Sequence, residues 1–205
     1  MSQVGRRIDG INGILQTINI NTSLLNFLSF QVDRQNISVI NNSGLHWISG
    51  LLLGNNILEF HKIFDKNEKH TFKRLINIAK NSKIQFDYKT LEKEIDALQI
   101  EYDKSNLKTI RDKYIAHQDL TEDEVKSDFI TSFKFTQSST KLFKKICTEL
   151  NYEYKEDNDE VLNSFKDIFT ITEQINGIQF LVDLAQKNKV DCIPINKIKR
   201  FISSK

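Results

Sequence analysis

The sequence predicts an all-α fold, an antiparallel helical bundle in a single domain, and three observations carry that prediction. Proline occurs once, at Pro194, and glycine seven times in 205 residues, whereas average usage gives about ten prolines in this length. Turn-rich all-β folds need such residues every ~8–12 positions. Apolar residues recur at three- and four-residue steps through successive segments, the period of a helix face. With 39% hydrophobic and 27% charged residues, the chain has enough apolar material for a real core and is not disordered.

The elements follow in order. Ile14, Ile18, Leu25, Leu28 and Val32 mark one face of a first helix. From Leu45 to Phe64 apolar residues occur nearly all round, which predicts a central helix buried on every side, capped by Asn41, Asn42 or Ser43. Phe64-Asp65-Lys66-Asn67 reads as a loop. A short basic helix follows from about Thr71 to Asn81-Ser82; seven Lys or Arg lie between His61 and Lys83, against Asp65 and Glu68. One long helix is then expected, its stripe running through Leu91, Ile95, Leu98, Tyr102, Leu107, Ile110, Tyr114 and His117 and stopping soon after. Thr121-Glu122-Asp123-Glu124 is a capping box, hydroxyl and carboxylate satisfying each other's free N–H groups. It opens a helix through Val125, Phe129, Phe133, Phe143, Cys147 and Leu150. Residues 151–160 form a polar, acidic loop. Asn158 or Asp159 caps a further helix carrying Val161, Phe165, Ile168, Ile175 and Val182. The domain is expected to span residues 1–187. Residues 188–205 form a basic tail, with a short helix after Pro194.

Charge excludes some functions. The net charge is +2, far from that of a dedicated nucleic-acid coat protein, so any polyanion site is a local patch. The 23 Lys and six Arg, with abundant Asn and Ile, reflect a compositional bias that makes an Arg more informative than a Lys. Arg6-Arg7 is followed by Asp9 and Asn12 rather than by an apolar stretch, and no run of ~18 apolar residues occurs. A cytoplasmic protein without membrane contact is expected. Cys147 and Cys192 suit a reducing compartment.

No Gly-rich phosphate loop is present. His46, His61, His70 and His117 do not fall at metal-ligand spacings. No metal and no cofactor are expected. Among 27 carboxylates none stands out.

The segment Leu107 to Asp119 is the exception. His117 lies on the stripe of Ile110 and Tyr114, so it faces the bundle, at a helix end whose dipole favours an imidazolium by ~0.3–1 kcal/mol. Arg111 stands six positions earlier; on a straight helix the two are about 120° apart around the axis and about 9 Å apart along it. They share a groove only if the helix frays near His117 or if both reach a phosphate lying between them.

Arg111-Asp112-Lys113-Tyr114-Ile115-Ala116-His117 resembles the R-x4–6-H signature of the HEPN superfamily (higher eukaryotes and prokaryotes nucleotide-binding domains). With Asp119 added, the string resembles more narrowly the R-[DN]-K-x-x-A-H-x-D of the abortive-infection U-type (AbiU-like) branch. Upstream, His61-Lys62-Ile63-Phe64-Asp65-Lys66, then Thr71-Phe72 and Leu75-Ile76, is similar to that branch's "R-[IL]-F-D" helix end and the short helix after it; His61 or Lys62 replaces the usual Arg. The resemblance covers roughly residues 12–150.

The resemblance implies a four- to five-helix bundle of the HEPN type, often a homodimer in which the Arg/His helices face each other. It also implies metal-independent endoribonuclease activity in phage defence or a toxin–antitoxin system, with an antitoxin or another defence protein as partner. Some branches bind ligands or partners without catalysis, so a non-catalytic interaction module is the alternative. Chemistry is consistent with RNA as substrate. A histidine, with an ordinary pKa of ~6.5, suits the proton transfers of cleavage through a 2′-hydroxyl. An Arg offers a planar charged fork to phosphate oxygens. Arg111 and His117 are therefore the expected catalytic pair, with Asp112 and Tyr114 in support. Lys108, Lys113, Lys73 and Arg74 are expected to track the RNA backbone.

Overall fold

The computed structural model describes residues 2–33, 43–116, 122–155, 160–167 and 170, with backbone alone at 30–33, 112–116 and 122–129. The described chain is an all-α helical bundle. Its elements are α1 (Gln3–Asp33), α2 (Ser43–Phe64), α3 (Phe72–Asn81), α4 (Tyr88–Lys104), α5 (Leu107–Ala116) and α6 (Glu122–Glu149); residues 160–167 are also helical.

The first helix begins well before Ile14. The Ser2 hydroxyl accepts from the Gly5 N–H at 3.0 Å and caps it. Val4, Ile8, Ile11, Leu15, Ile18 and Leu25 are buried in 4-3-4-3-7 steps, so α1 lays one long face against α2 and packs also on α3 and α6. Gly10 stands where α1 meets the loop before α3: a Cβ there would run into the His70 ring.

The expectation that α2 is buried on every side fails for its first half, and in its largely buried second half Lys62 is exposed. Leu53, Ile57, Phe60, Ile63 and Phe64 are buried, whereas Trp47 is 67% and Leu51 44% exposed. Aromatic residues of α4 and α6 cluster against the second half. Phe64 stacks on Tyr102 at 4.5 Å, and Phe135 meets Phe60, Phe64 and Tyr102 edge-on at about 6 Å. Each such pair adds ~0.5–1.5 kcal/mol beyond area burial.

The long helix expected from Leu91 to His117 is two helices. At Ser105 the backbone is extended (φ −79°, ψ 156°), and the Ser105 hydroxyl and N–H both donate to the Tyr102 carbonyl, at 2.7 and 3.0 Å. The serine satisfies an end carbonyl of α4, and α5 starts afresh with the Ile110 N–H donating to the Asn106 carbonyl. Leu107 and Ile110 are buried, so both helices serve the same core.

The short helix is as expected: Thr71 caps α3 by accepting from the Arg74 N–H at 3.2 Å. The start of α6 at Glu122 fits the capping box, whose Thr121 lies outside the described residues. A helix begins by residue 160, and Phe165 meets Phe27 of α1 edge-on at 5.9 Å. The expected caps at Asn158 or Asp159, the apolar positions Ile168, Ile175 and Val182, the 187/188 boundary and the basic tail lie outside the described residues. Cys147 is buried, and burial pushes its thiol up to about 11; Cys192 lies outside the described set. Among the described residues no helix is long and apolar enough to cross a membrane.

Candidate functional site

The site is built where α2 ends. His61 and Asp65 stand one turn apart, and the Asp65 N–H donates to the His61 carbonyl at 2.8 Å, carrying the helical pattern one residue past Phe64. The Asp65 carboxylate accepts from the Asn67 N–H through Oδ1 at 2.8 Å, an Asx turn that reverses the chain. Its other oxygen lies 3.6 Å from His61 Nε2. The loop that follows is pinned from two sides. Arg7 of α1 donates to the Lys69 carbonyl at 2.7 Å, and Arg74 of α3 to the Lys66 carbonyl at 3.1 Å. These contacts fix the carboxylate relative to three helices.

From the other side comes α5. Its buried Leu107 and Ile110 anchor it, and α5 packs directly on α2. Arg111, partly buried, thereby meets His61: its Nη1 reaches both ring nitrogens, with 2.6 Å to Nε2. The guanidinium thus lies against the imidazole ring.

Beside this pair opens a cleft of about 620 Å³ between the end of α2, the loop, α3, α4 and α5. Phe64, the buried Tyr102, Asn77 and Gln99 are among its lining residues. Its charged lining comprises Lys66, Lys73, Arg74 and Lys108 against Asp65 and Asp103, an excess of positive charge that suits an anionic ligand.

Of the residues singled out in the sequence, the structure brings Lys73, Arg74 and Lys108 to one cleft and Arg111 beside it. Two of these cations have internal partners. Lys73 Nζ lies 2.8 Å from Asp96 Oδ1, and Arg74 holds the loop as described. Asp112, Lys113 and Tyr114 belong to α5 by backbone, and their side chains lie outside the described set; so does His117 altogether.

His61 joins the site without having been expected among its catalytic or RNA-binding residues. Its signal was present: it stands four residues before Asp65 at a helix end, in the block where His61 or Lys62 replaces an Arg. The geometry separates the two, since Lys62 turns to Glu59 while His61 lines the cleft. Among the described residues no group of three or more His, Cys, Asp and Glu side chains is placed to hold a metal ion.

No family model, no curated protein and no solved structure matches the chain.

Proposed function

We propose that this protein is a metal-independent endoribonuclease of the HEPN type, acting as an effector of abortive infection or as the toxin of a toxin–antitoxin pair. The observation that supports it best is Arg111, the Arg of the R-x-x-x-x-x-H string, beside a basic cleft that also holds a histidine and a carboxylate. In this reading Arg111 stabilises charge on the pentacoordinate phosphate and His117 transfers protons, while Lys108, Lys66 and Arg74 draw in the RNA backbone. A homodimer that buries the face ending at Tyr114 and His117 would place two such sets in one cleft. An antitoxin or another defence protein is the expected partner, and the cytoplasm the expected location.

The test is labelled single-stranded RNA with purified protein in EDTA, read for 2′,3′-cyclic phosphate ends, alongside growth on expression. Cleavage and growth arrest, both abolished by His117→Ala, support the reading. Wild type and His117→Ala leaving RNA and growth equally unaffected overturn it. The second reading, a non-catalytic module, has one observation in its favour: Arg111 and Lys73 are both engaged inside the protein.

A further inference from the structure

We infer that the His70 ring is a proton-sensitive catch on the loop between α2 and α3: neutral, it holds that loop against α1, and protonated, it lets the loop go. The catch does not depend on which ligand the cleft takes or on whether RNA is cut there. The loop matters to the cleft because Asp65, Lys66 and Thr71 line it. Two contacts hold the loop to α1. Arg7 donates to the Lys69 carbonyl at 2.7 Å, and the next residue, His70, sets its ring in the space left at Gly10, where a Cβ would run into it.

That seat accepts a neutral ring and rejects a charged one. A protonated imidazole carries a hydrogen on both nitrogens. His70 Nδ1 is buried, with no hydrogen-bond partner among the described residues, so charging the ring in place leaves a buried N–H unmet by protein. The charges that face the ring are Arg7 from α1 and Lys69 and Glu68 from the loop; the first two oppose a positive ring and Glu68 favours it. Asp9 of α1 is turned to Lys155 at 3.2 Å, and Arg74 of α3 to the Lys66 carbonyl at 3.1 Å. Leaving Gly10 gives the charged ring water on both nitrogens and takes it away from Arg7. Because Lys69 adjoins His70, the Arg7 bond to its carbonyl is given up in the same movement, and Lys66 and Thr71 lose the support that sets them in the cleft wall.

The sign follows from burial, which lowers the pKa of the seated ring below its ordinary 6.5. The closed loop is favoured above pH 6.5 and loses that support as pH falls from there through the lowered pKa. At pH 5.5 a released ring of ordinary pKa is protonated about ten times to one, so opening gains up to ~tenfold over pH 7.5.

Amide hydrogen exchange on the full chain reads this opening directly, at pH 7.5 and 5.5, corrected for intrinsic exchange, with and without low urea. The Glu68 N–H, bound to the Asp65 carbonyl at 3.0 Å, reports on the loop, and the amide of Leu98 in α4 on the whole fold. In wild type, Glu68 protection should fall by up to ~tenfold between the two pH values and ignore low urea, which marks a local opening. In His70→Gln, shown to be folded by circular dichroism, it should stay level. Equal falls in wild type and His70→Gln overturn the catch. So does Glu68 exchanging at the protection and urea dependence of Leu98, because the loop then opens only when the whole fold does. The His70 ring, titrated by NMR in the wild-type samples, keeps the test independent of whether the variant folds: a midpoint at or above 6.5 overturns the inference.

Discussion

The Arg111 guanidinium, carried on α5, lies against the ring of His61 at the end of α2, fifty residues earlier in the chain. That contact joins the residue most conspicuous in the sequence to one to which the sequence assigned no role. Arg111→Ala is expected to lower RNA cleavage ~10²–10³-fold, the effect of losing one preorganised charge donor at a developing oxyanion. Arg111→Lys restores the charge without the planar fork, so its rate should fall between the two. Single-turnover cleavage of labelled RNA measures this. Arg111→Lys at the wild-type rate would show that the fork is immaterial.

The cations of the cleft are not equivalent. Lys73 is paired with Asp96 at 2.8 Å, both about half exposed, whereas Lys108 lines the cleft on the helix that carries Arg111. Lys108→Ala should therefore weaken RNA binding and reduce the slope of log K against log salt by about 0.7, one contact's worth for a single strand. Lys73→Ala should change the slope less, since the lysine exchanges an ion pair for a phosphate. Filter binding across a salt series distinguishes them. Equal slopes for Lys73→Ala, Lys108→Ala and wild type would place the RNA elsewhere.

His70 lies against Gly10 with its Nδ1 buried, and its pKa is lowered, first by burial and then by the Arg7 and Lys69 charges, with Glu68 opposing. A group whose folded pKa lies below its unfolded value of 6.5 binds more protons when unfolded. Its neutral form thus supports the fold above pH 6.5, and that support is lost as pH falls from there through the lowered pKa. Melting temperature should drop more steeply between pH 7.5 and 5.5 in wild type than in His70→Gln. Gly10→Ala, which drives a methyl into the ring, should destabilise at every pH by ~1–3 kcal/mol. Parallel pH profiles for wild type and His70→Gln would remove His70 as the source.

Local chemistry explains which parts of the fold were legible. The Thr71 cap and the stripe Phe72, Leu75, Ile76, Ala79 define α3 within a residue. The break at Ser105 was hidden because Tyr102, Leu107 and Ile110 are all buried and keep nearly helical spacing across it. The start of α1 lies ahead of Ile14, the first position of the expected stripe, in a stretch that contains Gly5, Gly10 and Gly13. The first ten residues are nonetheless helical from Gln3 on, and the space at Gly10 is taken by His70 from sixty residues away. The site divides the same way. Arg111 and the basic run around α3 are local features, whereas the meeting of His61 and Arg111 requires α2 and α5 to pack.

A last consequence concerns polar groups inside the bundle. Asn56, fully buried in α2, accepts from Asn21 Nδ2 at 3.0 Å and donates to Thr22 Oγ1 at 3.0 Å. The Thr136 hydroxyl is committed to the Ser132 carbonyl at 2.9 Å. Thr22 must therefore be the donor in its 3.1 Å bond to Thr136. The direction of every bond in this chain is fixed, and it links α1, α2 and α6. Asn56→Ala removes the acceptor of Asn21 and the donor to Thr22 in one step and leaves a cavity, so it should cost ~2–4 kcal/mol, the sum of an unsatisfied buried amide and lost packing. Asn56→Asp keeps the volume and the acceptor but places a carboxylate against the Thr22 hydroxyl, whose proton is already given to Thr136. Its destabilisation should therefore shrink as pH falls and the carboxyl protonates, regaining a donor for Thr22. Urea unfolding of both variants at pH 7.5 and 5.0 measures this, and equal losses at the two pH values for Asn56→Asp would show that the Thr22 proton is not committed to Thr136.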